Sequence, residues 1–170
     1  METLTNVAEL ESRLRRVEDE LAIRQLILTY GPAADAGLAE VASSLWAEDG
    51  LYDWDAAGDP HVGRAEVGAM LRTDGHTGLI SRGAAHFAGP PLITLAGDVA
   101  TALTYSLIML RDPDSGRYFL WRVSAARWDL SRVGATWRVH RRTNRLLDDT
   151  GAGRVLFGET LQEMFESEEK

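Results

Sequence analysis

Near the N-terminus the hydrophobic positions recur at helical spacing. Leu10, Leu14, Val17 and Leu21 lie three or four residues apart between charged neighbours, and LAIRQLILTY carries the apolar character on to Tyr30. This pattern predicts one long first helix. Its N-terminal half is sharply amphipathic, with RLRRVEDE turned outward as a solvent-facing arm or part of a subunit contact. Gly31-Pro32 then removes a backbone donor and crowds the preceding turn, so the helix is expected to kink or end there. Beyond it Asp35 lies in AADAG, and LAEVASSLW predicts a second short helix ending near Trp46.

The segment AEDGLYDWD predicts a short first strand, followed by the Gly/Asp/Pro loop AAGDPHVG. RAEVGAMLRT has helical character, whereas TDGHTGLISRG is too rich in glycine to assign and leaves His76, like His61, in an exposed loop. From Ala84 onward the period falls to two. AHFAGPPLITLAG, DVATALTYSLIMLRD, RYFLWRVSAARWDLS and ATWRVHRRTNRLL are separated by Gly97-Asp98, Asp112-Pro113-Asp114-Ser115-Gly116 and Val133-Gly134, which predicts a four-strand antiparallel meander. GRVLFGETLQEMF reads as a closing helix or tail within 151–170. Helices first and strands later argue for an α+β fold and against a doubly wound parallel sheet.

A chain of 170 residues with 45% hydrophobic content supports one core and not two, so a single domain over 1–170 is expected, its core at about 10–148. Cysteine is absent, which excludes thiolate catalysis, disulfide scaffolds and Cys-based zinc sites. The sole lysine is the terminal Lys170, badly placed for a Schiff base, so proton chemistry falls to His, Asp, Glu and Tyr. A net charge of −8 with scattered arginines argues against a nucleic-acid partner, and EMFESEEK reads as a solvated tail. No apolar run approaches the roughly 20 residues needed to cross a bilayer, and the N-terminus lacks a signal-peptide pattern. A cytoplasmic protein without a membrane partner is expected. No His/Asp spacing suggests a metal site.

LESRLRRVEDELAIRQLILTYGPAADAG followed by LWAEDGLYDWD resembles the start of SnoaL-like domains of the nuclear transport factor 2-like superfamily. ARWDLSRVGATWRVHRR, with Trp137 and Arg142, resembles their paired final strands; the resemblance spans about 10–148. It implies a curved antiparallel sheet wrapped by the N-terminal helices into a cone around an apolar pocket. The superfamily includes scytalone dehydratase, bile-acid dehydratases, ketosteroid isomerases and polyketide cyclases, besides many non-catalytic members. In the dehydratases an Asp of the first helical region pairs with a His near the start of the sheet; Asp35 and His86 stand at the matching places, with Tyr30 preceding the Asp. The second pocket histidine of scytalone dehydratase has no counterpart in DVATALTYSLIML, where Tyr105 is the polar aromatic, and the Asp-Arg-Asp group of epoxide hydrolases has none either.

The catalytic set read this way is Tyr30, Asp35 and His86. An aspartate that accepts from one imidazole nitrogen fixes the tautomer and frees the other nitrogen to move a proton. Tyr30, with Tyr52 or Tyr105, could donate to a developing enolate oxygen. Alternatively Asp35 is itself the base, or merely starts the helix after it. Strand alternation puts Arg142 on the face of His140, opposite Trp137 and Val139, where it could bind an anion or carbonyl group or join a salt bridge. Trp54 and Trp121 are expected wall residues, with Phe87 and Trp128 as further aromatics. The function expected is a cofactor-free, metal-free lyase or isomerase/cyclase for a small hydrophobic oxygenated molecule, in a homo-oligomer (dimer or trimer). The alternatives are a ligand-binding module and a structural subunit.

Overall fold

A computed structural model describes residues 2–55 and 59–168, with side chains from 6 to 166. Helix α1 (Glu2–Asp35) is followed by α2 (Ala39–Ser43), β1 (Trp46–Asp53), β2 (His61–Val62), α3 (Arg64–Leu71) and α4 (Asp74–Ser81). Strands β3 (Ala85–Ala88), β4 (Leu92–Ala96), β5 (Val99–Arg111), β6 (Tyr118–Val133) and β7 (Thr136–Leu146) come next, and α5 (Ala152–Glu168) closes the chain. Part of the AAGDPHVG loop lies outside the described residues.

The helix does not end at Gly31-Pro32 but runs through Pro32 to Asp35. Proline there falls in the last turn, where losing one donor costs little of the helix ladder. Termination comes instead at Gly37, which adopts φ +71. Leu38 donates to the Ala33 carbonyl (2.9 Å) and Gly37 to that of Ala34 (3.0 Å), the Schellman closure that favours glycine. The glycine-rich TDGHTGLISRG is a helix after all, capped by Thr73, whose hydroxyl accepts from the His76 amide at 3.4 Å.

The strands form a seven-stranded sheet in the order β2-β1-β7-β6-β5-β3, with β4 also on β5. Pro90-Pro91 splits the first expected strand of the meander into β3 and β4, both antiparallel to β5. The sheet is mixed and not wholly antiparallel, because β1 runs parallel to β7. Those two strands are joined through most of the chain, so no hairpin turn dictates their relative direction.

The inner face of α1 presents Ile23, Ile27, Tyr30 and Ala34 at helical spacing, all buried against Trp46, Trp128 and Val139 of the sheet. Asp19 ties the same helix to the sheet through Arg132 (2.6 Å) and the Trp137 indole nitrogen (3.0 Å). At Gly31 the helix touches β3 so closely that a Cβ would sit 2.3 Å from the His86 carbonyl oxygen. Only glycine permits that approach, and it brings the end of α1 to the start of β3. No described helix is long and apolar enough to cross a membrane.

Candidate active site

Asp35 is the last residue of α1 and His86 the second of β3, and the Gly31 contact holds the two elements together. The Asp35 carboxylate is used twice by the same residue. One oxygen accepts from the His86 backbone amide (2.8 Å) and the other meets His86 Nδ1 at 2.6 Å. Asp35 does not cap α2, whose first turn follows Leu38 without a side-chain cap. With Nδ1 donating to a carboxylate, Nε2 is left as the proton acceptor of the neutral ring.

His86 opens onto a cavity of about 250 Å³ lined by Tyr30, Tyr52, Trp54, Met70, His76, Leu79, Ser106, Ile108, Trp121, Arg122, Arg142 and Asn144, among others. The structure therefore gathers Tyr30, His86, Tyr52, Trp54, Trp121 and Arg142 around one space, with Asp35 behind the histidine. Tyr30 packs edge-on against Tyr52, Trp128 and His86, and burial drives its phenol well above the ordinary range, so it stays a neutral donor. Trp128 belongs to the core beneath the pocket.

Tyr105 is not in the site. Strand alternation points Ser106 and Ile108 of β5 inward, so Tyr105 emerges on the opposite face, 55% exposed, against the Phe157 ring of α5 at 4.9 Å. Phe87 likewise faces outward beside His86. The face assigned to Arg142 also changes. Arg141 pairs with Asp129 and Val139 with Leu130, so His140 is the extra residue of a bulge that shifts the alternation. Trp137, Val139, Arg142 and Asn144 all turn inward, while His140 faces a separate cleft beneath α5.

The second pocket histidine comes from α4 and not from β5. His76 stands with its ring 5.7 Å from that of His86. Neither of its nitrogens closes a hydrogen bond of ordinary geometry, although the Leu71 carbonyl lies near enough to favour the protonated ring. Burial and, next, the neighbouring His86 lower its pKa from 6.5, so it is a neutral imidazole near neutral pH. The Thr73 cap before DGH was the signal for this helix; glycine content obscured it. His61 is half-buried in β2, opposite Tyr52. Ser106 and Asn144 were also missed, since only burial distinguishes them from other polar strand residues.

Two arginines reach the cavity. Arg122 faces the Asp55 carboxylate at 4.0 Å and donates to the Trp54 carbonyl at 2.7 Å. Arg142 is 3% exposed and lies over the rings of Trp128 (4.1 Å), Tyr30 (4.4 Å) and Tyr52 (4.8 Å), donating to the Ser106 hydroxyl at 3.2 Å. Among the described residues no group of three His, Cys, Asp or Glu side chains is arranged to hold a metal.

A SnoaL-like domain model matches residues 15–143. An NTF2-like protein with a cystatin-like fold from Novosphingobium aromaticivorans is 44% identical, with 88% of this chain and 95% of that chain covered and a TM-score of 0.83. A protein of unknown function from Mycobacterium tuberculosis is 22% identical over 78% of this chain and 79% of its own, with a TM-score of 0.67. A second Novosphingobium aromaticivorans protein, provisionally called a scytalone dehydratase, is 19% identical over 86% and 89%, with a TM-score of 0.61. The last two show likeness of fold alone. No curated protein matches. The family model, covering most of the chain, and the 44% identical structure together place this protein in the SnoaL-like domain family, with the NTF2-like fold.

Proposed function

We propose that the chain is a cofactor-independent acid-base enzyme, a dehydratase or isomerase/cyclase, acting on a small hydrophobic oxygenated molecule such as a polyketide or steroid intermediate. The observation that carries this reading is the 2.6 Å contact between Asp35 and His86 Nδ1 at the wall of an aromatic cavity. His86 Nε2 takes a proton from the carbon beside a substrate carbonyl, and Asp35 stabilises the imidazolium that results. In an elimination, the same nitrogen returns that proton to the β-hydroxyl as the carbon–oxygen bond breaks and water leaves. Tyr30, kept neutral by burial, and Tyr52 donate to the enolate oxygen in the interval. The likeness to a protein provisionally called a scytalone dehydratase is consistent with this chemistry.

The test is turnover of a panel of β-hydroxy ketones, followed through the absorbance of the conjugated product. His86→Ala is expected to lose about 10²- to 10⁴-fold in rate while keeping its circular dichroism spectrum. An unchanged rate in the folded variant defeats the proposal. Binding without turnover across the panel assigns the cavity to a non-catalytic ligand-binding module.

A further inference from the structure

A guanidinium cannot shed its charge by losing a proton under ordinary conditions, so a buried arginine is costly unless an anion faces it. The ion pairs of the structure follow this rule elsewhere: Arg132 meets Asp19 and Asp98, Arg145 meets Asp53, and Arg127 meets Asp129 and Glu163. Arg142 breaks it. It is the more deeply buried of the two arginines in the cavity and forms no ion pair among the described residues; its Nε and Nη1 close no hydrogen bond of ordinary geometry, although the neutral Tyr30 hydroxyl lies near enough to interact with the guanidinium. The β5 residue that meets its remaining nitrogen is Ser106, a neutral hydroxyl. Three aromatic faces offset part of the cost, but a neutral ring does not balance the charge of the guanidinium. The Arg142 side chain borders a cavity whose other walls are largely aromatic and aliphatic.

From this geometry we infer that Arg142 is the subsite for a carboxylate on the substrate: the cavity takes an apolar molecule with one anionic end, held by the planar guanidinium. This rests on reading the cavity as the substrate site and adds the charge of the substrate to it. Ground-state binding of an anion is distinct from stabilising an enolate, which Arg142 would serve equally for a neutral ketone.

The experiment is calorimetric titration with trans-cinnamate and with trans-cinnamamide, a neutral ligand of nearly the same shape, near neutral pH. Cinnamate is expected to bind at least about tenfold more tightly, a difference of about 1.4 kcal/mol. Arg142→Met should abolish the preference, and Asp35→Asn, which disables the proposed dyad, should leave it in place. Equal binding of the two ligands, no binding of cinnamate, or a preference that survives in folded Arg142→Met overturns the inference. Because the readout is binding, loss of the acid-base proposal through unchanged turnover in His86→Ala leaves this result readable by itself.

A separate observation concerns α1. Val7, Leu10, Leu14, Val17, Leu21 and Leu28 fall on the a and d positions of one heptad register, interrupted only by Arg24, and are 42 to 58% exposed. The opposite side of the helix carries the Asp19 latch and the buried Ile23 face, so this stripe points away from the domain. In a parallel pair of such helices, Arg13 of one copy lies beside Glu18 of the other, twice by symmetry, at the g and e positions. We propose that a second copy of this chain covers the stripe as a parallel two-helix seam. The chain has no cysteine, so Leu10→Cys supplies a single thiol. Under mild oxidation Leu10→Cys is expected to form a covalent dimer at least about tenfold faster than Glu9→Cys, whose side chain lies off the seam. Equal rates, or no cross-link at either position, overturn the proposal.

Discussion

The Asp35 carboxylate is bound at both oxygens by the amide and ring of one histidine, so the imidazole orientation is set by the backbone of β3 itself. His76 differs, since it enters the cavity with its nitrogens desolvated and without a carboxylate partner. Its lowered pKa has a consequence for stability. Below about pH 6.5 the unfolded chain binds this proton more readily than the folded one, so the folded state loses ground as pH falls from there toward the folded pKa. Above that range both states are neutral and His76 makes no difference. Asp35 and His86, which face it, act in opposite senses, and the burial effect exceeds both. His76→Asn should therefore weaken the decline in urea midpoint between neutral pH and about pH 5. An identical decline in the variant contradicts this account.

At the scale of elements, the site depends on how close α1 comes to β3. Gly31→Ala would improve helix propensity by about 0.5–1 kcal/mol, yet its methyl group meets the His86 backbone, which no rotamer change can relieve. Overpacking at about 1–3 kcal/mol outweighs the propensity gain. The variant is expected to unfold at lower urea and to lose turnover with the Asp35 contact; equal or greater stability would show that β3 yields freely. The α1 periodicity was legible from Leu10 to Tyr30, but the same positions that promised an amphipathic helix did not reveal that Pro32 would be absorbed in its last turn. On β7, the bulge at His140 moved Arg142 to the inner face, and a bulge leaves little trace in hydrophobic alternation when polar residues lie on both faces.

Over the whole molecule, the α+β order followed from segregated periodicities, and five of the seven strands formed where the period of two began. The parallel β1 and β7 pairing was not legible, because it joins strands distant in the chain. The pocket is likewise a product of assembly. Tyr30 from α1, Tyr52 from β1, His76 from α4, His86 from β3 and Arg142 from β7 share no local motif.

The sequence by itself determined the order of helices before strands, the lack of cysteine, and the pairing of Asp35 with His86 through family resemblance. Those properties follow from local periodicity, residue chemistry and motif order. The tertiary structure decided which face each strand residue takes: Tyr105 outward, Arg142 inward, His76 onto His86. A bulge, a split strand and a capped glycine-rich helix each change direction within one or two residues. The proline pair and the Thr73 cap mark two of these in the sequence, but the face that each residue then takes is fixed by packing against distant elements.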